Sequence, residues 1–270
     1  SCASKVKINN APADKSASLV ERLEELGATV IAQSNMTEFA YGALGVNGSF
    51  GTARSPLYEA EDRVAGGSSS GAAVAVALGY SDFAVCSDTS GSARIPAAFC
   101  GVAGFKPSRG RYPSDGMGWL STTFDVPGLI ASSAALIKTV DDALVGEADS
   151  ESEIDVSRLR FAIPVEIDEI ELDDAVRVEF AGAIKRLEKA GVAVVKIPLP
   201  QLFESARITA EGGVISAEAF AVHQADLETS FDLYDVKVGP RIRNGETVPA
   251  YRYLRALADI ELCKADFDLA

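Results

Sequence analysis

Two stretches concentrate the hydroxyl chemistry of this chain: Arg63–Ala73, RVAGGSSSGAA, and Ser87–Gly101, SDTSGSARIPAAFCG. A serine hydroxyl is a weak nucleophile until a base takes its proton, and acyl transfer also needs amide N–H groups converging on the oxyanion that forms. Histidine is the usual base. Here the only one, His223, lies in the helical pattern AEAFAVHQADLE, and no GxSxG elbow is present, so a Ser-His-Asp arrangement is not expected. A lysine kept uncharged by burial or by nearby positive charge can replace histidine. Glycine lets the backbone approach a substrate closely, and the turn DTSGS at Asp88–Ser92 supplies successive amides.

Other readings of the same residues are blander. GGSSSG taken alone is a linker or a phosphate loop as readily as a catalytic turn. The four cysteines, Cys2, Cys86, Cys100 and Cys263, form no CxxC pair and no histidine-assisted metal spacing, so neither a zinc site nor a disulfide framework is indicated. Cys86 and Cys100 have apolar or small neighbours and are expected to be packing residues. Asp88 and Arg94 are expected to pair as structural ions, and Asp141 and Asp142 to form a solvated face.

The elements that must position these groups read as α/β. Ala17–Gly27, ASLVERLEELG, places Leu19, Val20, Leu23 and Leu26 on one helical face before a glycine stop, and Ala28–Asn35, ATVIAQSN, reads as a following strand. Gly71–Gly79 is apolar almost all round, which predicts a buried helix starting directly after the serine run. Phe83–Cys86 reads as a short buried strand, and Ile95–Gly104 as a second buried segment. EADSESEID, at 147–155, is acidic and apolar-poor, suggesting an exposed connection. Beyond it a strand at Leu159–Pro164, a helix at Asp174–Ala190 ended by Gly191, and a strand in VAVVKIPLP are expected.

With 270 residues, 47% of them hydrophobic, the chain can bury a sizeable core in one large domain or two small ones. Its 25 basic and 39 acidic residues give a formal charge of −14, which disfavours nucleic acid and anionic membranes as direct partners. The apolar runs are too short to span a bilayer, no charged-then-apolar leader opens the sequence, and the cysteine usage suits a reducing, cytoplasmic setting.

The residues Gly66-Gly67-Ser68-Ser69-Ser70-Gly71, Asp88-Thr89-Ser90-Gly91-Ser92-Ala93-Arg94-Ile95-Pro96-Ala97-Ala98-Phe99-Cys100-Gly101 and Gly104-Phe105-Lys106-Pro107-Ser108 together resemble the core signature of the amidase signature family. The resemblance extends upstream through Ser34–Gly42, SNMTEFAYG, Phe50-Gly51 and Arg54-Ser55-Pro56, and downstream through LRFAIP and EKAGVAVVKIPLP. It implies a central mixed β-sheet flanked by helices on both faces, forming one domain over 1–270 with a signature core at about 28–130 and a second half at about 157–270. It further implies that Ser92 is the nucleophile and that Ser68, 24 positions earlier and preceded by a cis peptide, relays its proton to lysine. The amides of Thr89, Ser90, Gly91 and Ser92 would form the oxyanion hole, supported by Asp88, Arg94, Gly67 and Ser69. Ser90 and Ser70 stand where the family commonly has glycine or, for Ser90, alanine.

The family's lysine precedes a segment that Ser1-Cys2-Ala3-Ser4 resembles, so it is expected upstream of residue 1, and the chain is expected to be a fragment short at both ends. Lys7, in Val6-Lys7-Ile8-Asn9, falls after that landmark and is expected to be an ordinary solvated lysine. No metal or organic cofactor is implied. The reaction implied is hydrolysis of a small carboxamide, arylalkyl in flavour, because Gly110–Gly116 and Thr123–Gly128 look more like the indoleacetamide and mandelamide hydrolase branch. The rivals are the glutamine-hydrolysing component of a tRNA-dependent amidotransferase and a non-catalytic scaffold. The partner expected is a small-molecule amide, with a homodimer as the assembly allowed for.

Overall fold

The computed structural model describes residues 2–9, 11–58, 60–146 and 155–270. The acidic connection expected at 147–155 lies outside them apart from Asp155. The regular elements are α1 (Ser18–Glu25), α2 (Ser70–Ala77), β1 (Phe83–Asp88), α3 (Arg94–Cys100), β2 (Ala103–Phe105), β3 (Val126–Ala131), α4 (Ala134–Val145), β4 (Arg160–Pro164), α5 (Asp174–Lys189), β5 (Ala193–Ile197), α6 (Gln201–Gly212), α7 (Val214–Ser230), α8 (Gly239–Arg243) and α9 (Ala250–Asp268). They form two compact units, Ser1–Asp149 with Gly213–Pro249, and Ser150–Gly212 with Ala250–Ala270.

The first unit is built on β3. It lies between β1 and β2 and is antiparallel to both, with Asp88 opposite Val126, Phe83 opposite Ala131 and Phe105 opposite Leu129. Strand alternation sends its side chains to opposite faces. Leu129 and Ala131 pack with Leu19 and Leu23 of α1 and Ile137, Val140 and Leu144 of α4. Ile130 packs with Ala72, Ala73 and Val76 of α2 and Ala93, Ala97 and Cys100. Helices therefore cover both faces, as expected. Proline is normally barred from a central strand because it cannot donate to the ladder. Pro127 is tolerated because β2 pairs only with residues 129–131, leaving β3 a single neighbour at that point. A third cluster joins Phe39 and Leu120 to Ala219 and Leu227 of α7, with Tyr234, Val238 and Ile242.

In the second unit β4 and β5 run parallel, Arg160 opposite Ala193 and Pro164 opposite Ile197, with α5 as the crossover that parallel pairing requires. The α/β class is thus as read from the sequence, with antiparallel strands in one unit and parallel strands in the other.

Three local expectations change. Residues 28–35 form no strand: their β-branched residues have no ladder partner among the described residues, and Val30 and Ile31 are exposed. The segment Ile95–Gly104 divides into α3 and β2 at Gly101, whose φ of +69° ends the helix. Asp141 is buried rather than solvated. It accepts a two-pronged contact from Arg111, at 2.8 and 2.7 Å, and the Tyr112 hydroxyl at 2.6 Å. Arg111 holds its carboxyl below the usual range, against burial and helped by Tyr112. Asp142 pairs instead with Lys138, one helical turn away, at 2.5 Å.

Candidate active site

The serine run forms the entry to α2, and the second motif is the turn that joins β1 to α3. Backbone bonds draw the two together: the Ser69 amide donates to the Ser92 carbonyl at 3.2 Å. The loop upstream of α2 holds the serine run from its other side. Thr37 N–H reaches Ser68 O at 3.0 Å, Gly67 N–H reaches Ala43 O at 2.7 Å, and Gly71 N–H reaches Asn35 O at 2.9 Å. Such approaches require glycine. A Cβ on Gly67 would lie 2.4 Å from Gly45 N, one on Gly71 2.5 Å from Asn35 N, and one on Gly45 2.2 Å from Gly66 O. The glycines of this run therefore serve close packing and not flexibility.

The peptide bond between Gly67 and Ser68 is cis. Ser68 is fully buried, and its Oγ, like that of Ser70, has no hydrogen-bond partner among the described residues. A buried hydroxyl that no other described residue engages is an unusual feature of an interior. Ser92 is also buried, at 7% exposure, whereas Ser90, two positions before it in the turn, is exposed. Ser69 contributes through its backbone, and Gly67 through the close contact just described.

Asp88 ends β1 fully buried and anchors the turn. Its carboxylate accepts from Gly91 N–H at 2.6 Å, from Ala93 N–H at 3.1 Å, and from Arg94 Nε and Nη2, both at 2.9 Å. Burial works to raise its pKa, yet the bonds from Arg94 and the two amides outweigh it and hold the carboxyl below the usual range. The Gly91 amide is thus committed to Asp88, which removes it from the four expected oxyanion donors. Hydrogen bonds within the chain engage neither the Thr89, Ser90 nor Ser92 amide among the described residues.

Lys7 is a partly exposed lysine in an ion pair, its Nζ 2.5 Å from Asp226 Oδ2, and it is not bonded to Ser68 Oγ, which has no partner among the described residues. His223 is a core residue, 3% exposed, bonded through Nδ1 to the Tyr234 hydroxyl at 3.0 Å and set edge-on to Phe39. Burial lowers its pKa, and it belongs to the third core cluster's surroundings rather than to the serine turns. Burial also pushes the Cys86 thiol upward and the Cys100 thiol up to about 11, which suits packing and not nucleophilic roles. No group of three or more metal-ligating side chains occurs among the described residues.

Four buried polar residues have no individual role assigned from the sequence, although Glu38 and Asp125 lie in stretches that carry the family resemblance. Asn47 donates to Ala3 O at 2.8 Å and Met36 O at 2.9 Å while accepting from the Ser49 and Phe50 amides. Glu38 accepts from Ser4 Oγ and Asp235 N–H, both at 2.7 Å, and burial raises its pKa. Asp125 accepts from Thr89 Oγ1 at 2.5 Å, Leu120 N–H at 2.7 Å and Ser121 N–H at 3.0 Å. Glu218 accepts from Ser121 Oγ at 2.5 Å, Thr123 N–H at 3.0 Å and Thr123 Oγ1. The available signals were local: Asn47-Gly48 is a turn dipeptide, and Glu218 is a lone acid among alanines in an apolar helical stretch.

Two turns that meet through their backbones, each presenting a buried serine, thus lie together on a mixed α/β scaffold. The family model for Amidase matches residues 1–261, and the chain belongs to that family. It is 34% identical over 256 residues to the 2-amino-5-chloromuconic acid deaminase of Comamonas testosteroni, covering 92% of this chain and 54% of the relative. It is 32% identical over 262 residues to the A-type subunit of the glutamyl-tRNA(Gln) amidotransferase of Halothermothrix orenii, covering 92% and 52%. A crystal structure of an amidase superposes with a TM-score of 0.86 at 31% identity, over 94% of this chain and 57% of that one. The chain spans about half the length of the relatives it matches.

Proposed function

We propose that the protein is an amidohydrolase that cleaves the C–N bond of a small carboxamide through an acyl-enzyme on Ser92. The carrying observation is the buried Ser68 hydroxyl, engaged by no other described residue, in a turn tied by backbone to Ser92. In this reading Ser92 Oγ attacks the amide carbonyl and its proton passes to Ser68 Oγ. From there it goes to a lysine, assigned by family resemblance to a segment preceding residue 1. The Thr89, Ser90 and Ser92 amides face the oxyanion. The relayed proton returns to the leaving nitrogen, and water then attacks the ester, giving carboxylic acid and ammonia or amine. Ser68 Oγ is suited to this relay because no hydrogen bond from the described residues competes for it.

An arylalkyl amide is the preferred substrate class, from the resemblance of Gly110–Gly116 and Thr123–Gly128 to the indoleacetamide and mandelamide branch. Four free cysteines suit a reducing compartment, and we place the protein in the cytoplasm. No helix among the described residues is long and apolar enough to cross a membrane.

The second reading, the glutamine-hydrolysing component of a tRNA-dependent amidotransferase, is favoured by the relatives of that kind. The two separate in one assay on the purified full-length protein. Hydrolysis of a free aryl amide by the protein alone supports the first, whereas activity on glutamine that needs a copurifying partner and mischarged tRNA supports the second. A fluorophosphonate adduct on Ser92, absent in Ser92→Ala, is expected from both and would eliminate a non-catalytic scaffold.

A further inference from the structure

The proposed reaction uses the amides of residues 89, 90 and 92 but says nothing of what aims them. Asp88 aims the far side of the turn through Gly91 and Ala93. The near side, Thr89 and Ser90, has no backbone bond of its own, so its peptide planes depend on whatever holds the Thr89 side chain. That holder is Asp125, at 2.5 Å from Thr89 Oγ1.

We infer that Asp125 is a positioning residue for acyl transfer, orienting the first oxyanion donors through the Thr89 hydroxyl. This rests on the reading of Ser92 as an acyl-transfer nucleophile. Three features carry it. First, the β1–β3 register sets Val126 opposite Asp88, so Asp125, just before β3, comes level with the residue after Asp88, which is Thr89. Second, the carboxylate cannot swing. It is 5% exposed, and its Oδ2 is held by the Leu120 and Ser121 amides, leaving Oδ1 directed at Thr89. Third, the loop presenting those amides is itself gripped by Glu218 of α7, through Ser121 Oγ, Thr123 N–H and Thr123 Oγ1. A carboxylate needed only to close the 120–125 loop would be complete with its two amide bonds; the third reaches into the turn.

Amide donors stabilise an oxyanion because they are aimed before charge develops. Loosening Thr89 therefore lowers the rate of acylation while leaving ground-state binding intact. In the full-length enzyme, Thr89→Val and Asp125→Asn are each expected to lower kcat by about 10- to 100-fold with KM within about threefold, somewhat less than deleting a donor outright. Affinity for a boronic acid that forms a tetrahedral Ser92 adduct should fall in parallel with kcat. The double variant should lose no more than the worse single one, since both break the same link, and Thr89→Ser should recover most of the rate lost in Thr89→Val.

Multiplicative losses in the double variant, a KM rise that accounts for the effect, or unchanged kcat in Thr89→Val would overturn the inference. If Asp125→Asn does not fold, the Thr89→Val and Thr89→Ser pair decides it by the same kcat, KM and boronate readings. Absence of any Ser92 adduct in the wild type would overturn the acyl-transfer reading and this inference with it. Intact Ser92 labelling with indifferent Thr89 and Asp125 variants would overturn this inference alone.

Discussion

At Asp88, burial and partnership oppose each other, and partnership prevails because Arg94 and two amides satisfy the carboxylate. A carboxyl with a depressed folded pKa adds stability above the unfolded value, near 4, and that contribution is lost as pH falls through the folded pKa. Wild type and Asp88→Asn should therefore differ most in urea midpoint near pH 6 and the difference should narrow progressively as pH falls below about 4, with a loss at pH 6 of about 2–3 kcal/mol from the imperfectly satisfied donors. At the serines, Ser92→Ala and Ser68→Ala in the full-length enzyme should each lower kcat by at least about 10³-fold, because residues that act as a unit fail together. The double variant should be no worse than the worse single one in the same steady-state assay. The two serine turns were legible because small residues crowd two short motifs. Asp125 and Glu218 were not, since an isolated acid carries no sign of the loop it will hold.

Among the elements, β3 decides the geometry. Its centre position places Asp88 and Asp125 at the same end of the sheet, and its alternating face joins two cores. Ile130→Ala, which removes a fully buried side chain, should cost about 2–5 kcal/mol by denaturant titration, depending on how far α2 and α3 close the cavity. Gly45→Ala should be more damaging than its size suggests. The residue has φ +77° and its Cβ would meet Gly66 O at 2.2 Å, so the loop against the serine run must shift. The expected result is loss of Ser92 labelling together with a lowered melting temperature. Periodicity revealed α1, α2, α5 and the strands β4 and β5, whose patterns are local; their pairing came from the fold. It did not reveal β3, where Pro127 and Gly128 interrupt a strand pattern, and it misread 28–35, where strand-forming residues lack a partner to pair with.

At the scale of the whole chain, its charge of −14 is expected to disfavour phosphate backbones. The full-length protein alone should give no shift of tRNA in a gel at about 150 mM salt, where non-specific binding is already weak. A tight shift would instead favour the amidotransferase reading. The sequence by itself determined the α/β class, the two serine turns and the family, because these rest on residue types, short-range spacing and motifs readable along the chain. Only the tertiary structure decided that Gly91 donates to Asp88, that Lys7 pairs with Asp226, that Asp141 is buried against Arg111 and Tyr112, and that Asp125 holds Thr89. The reason is physical: a donor's partner and a carboxylate's burial depend on which distant segments the sheet register and helix packing bring together, and no local pattern encodes that distance.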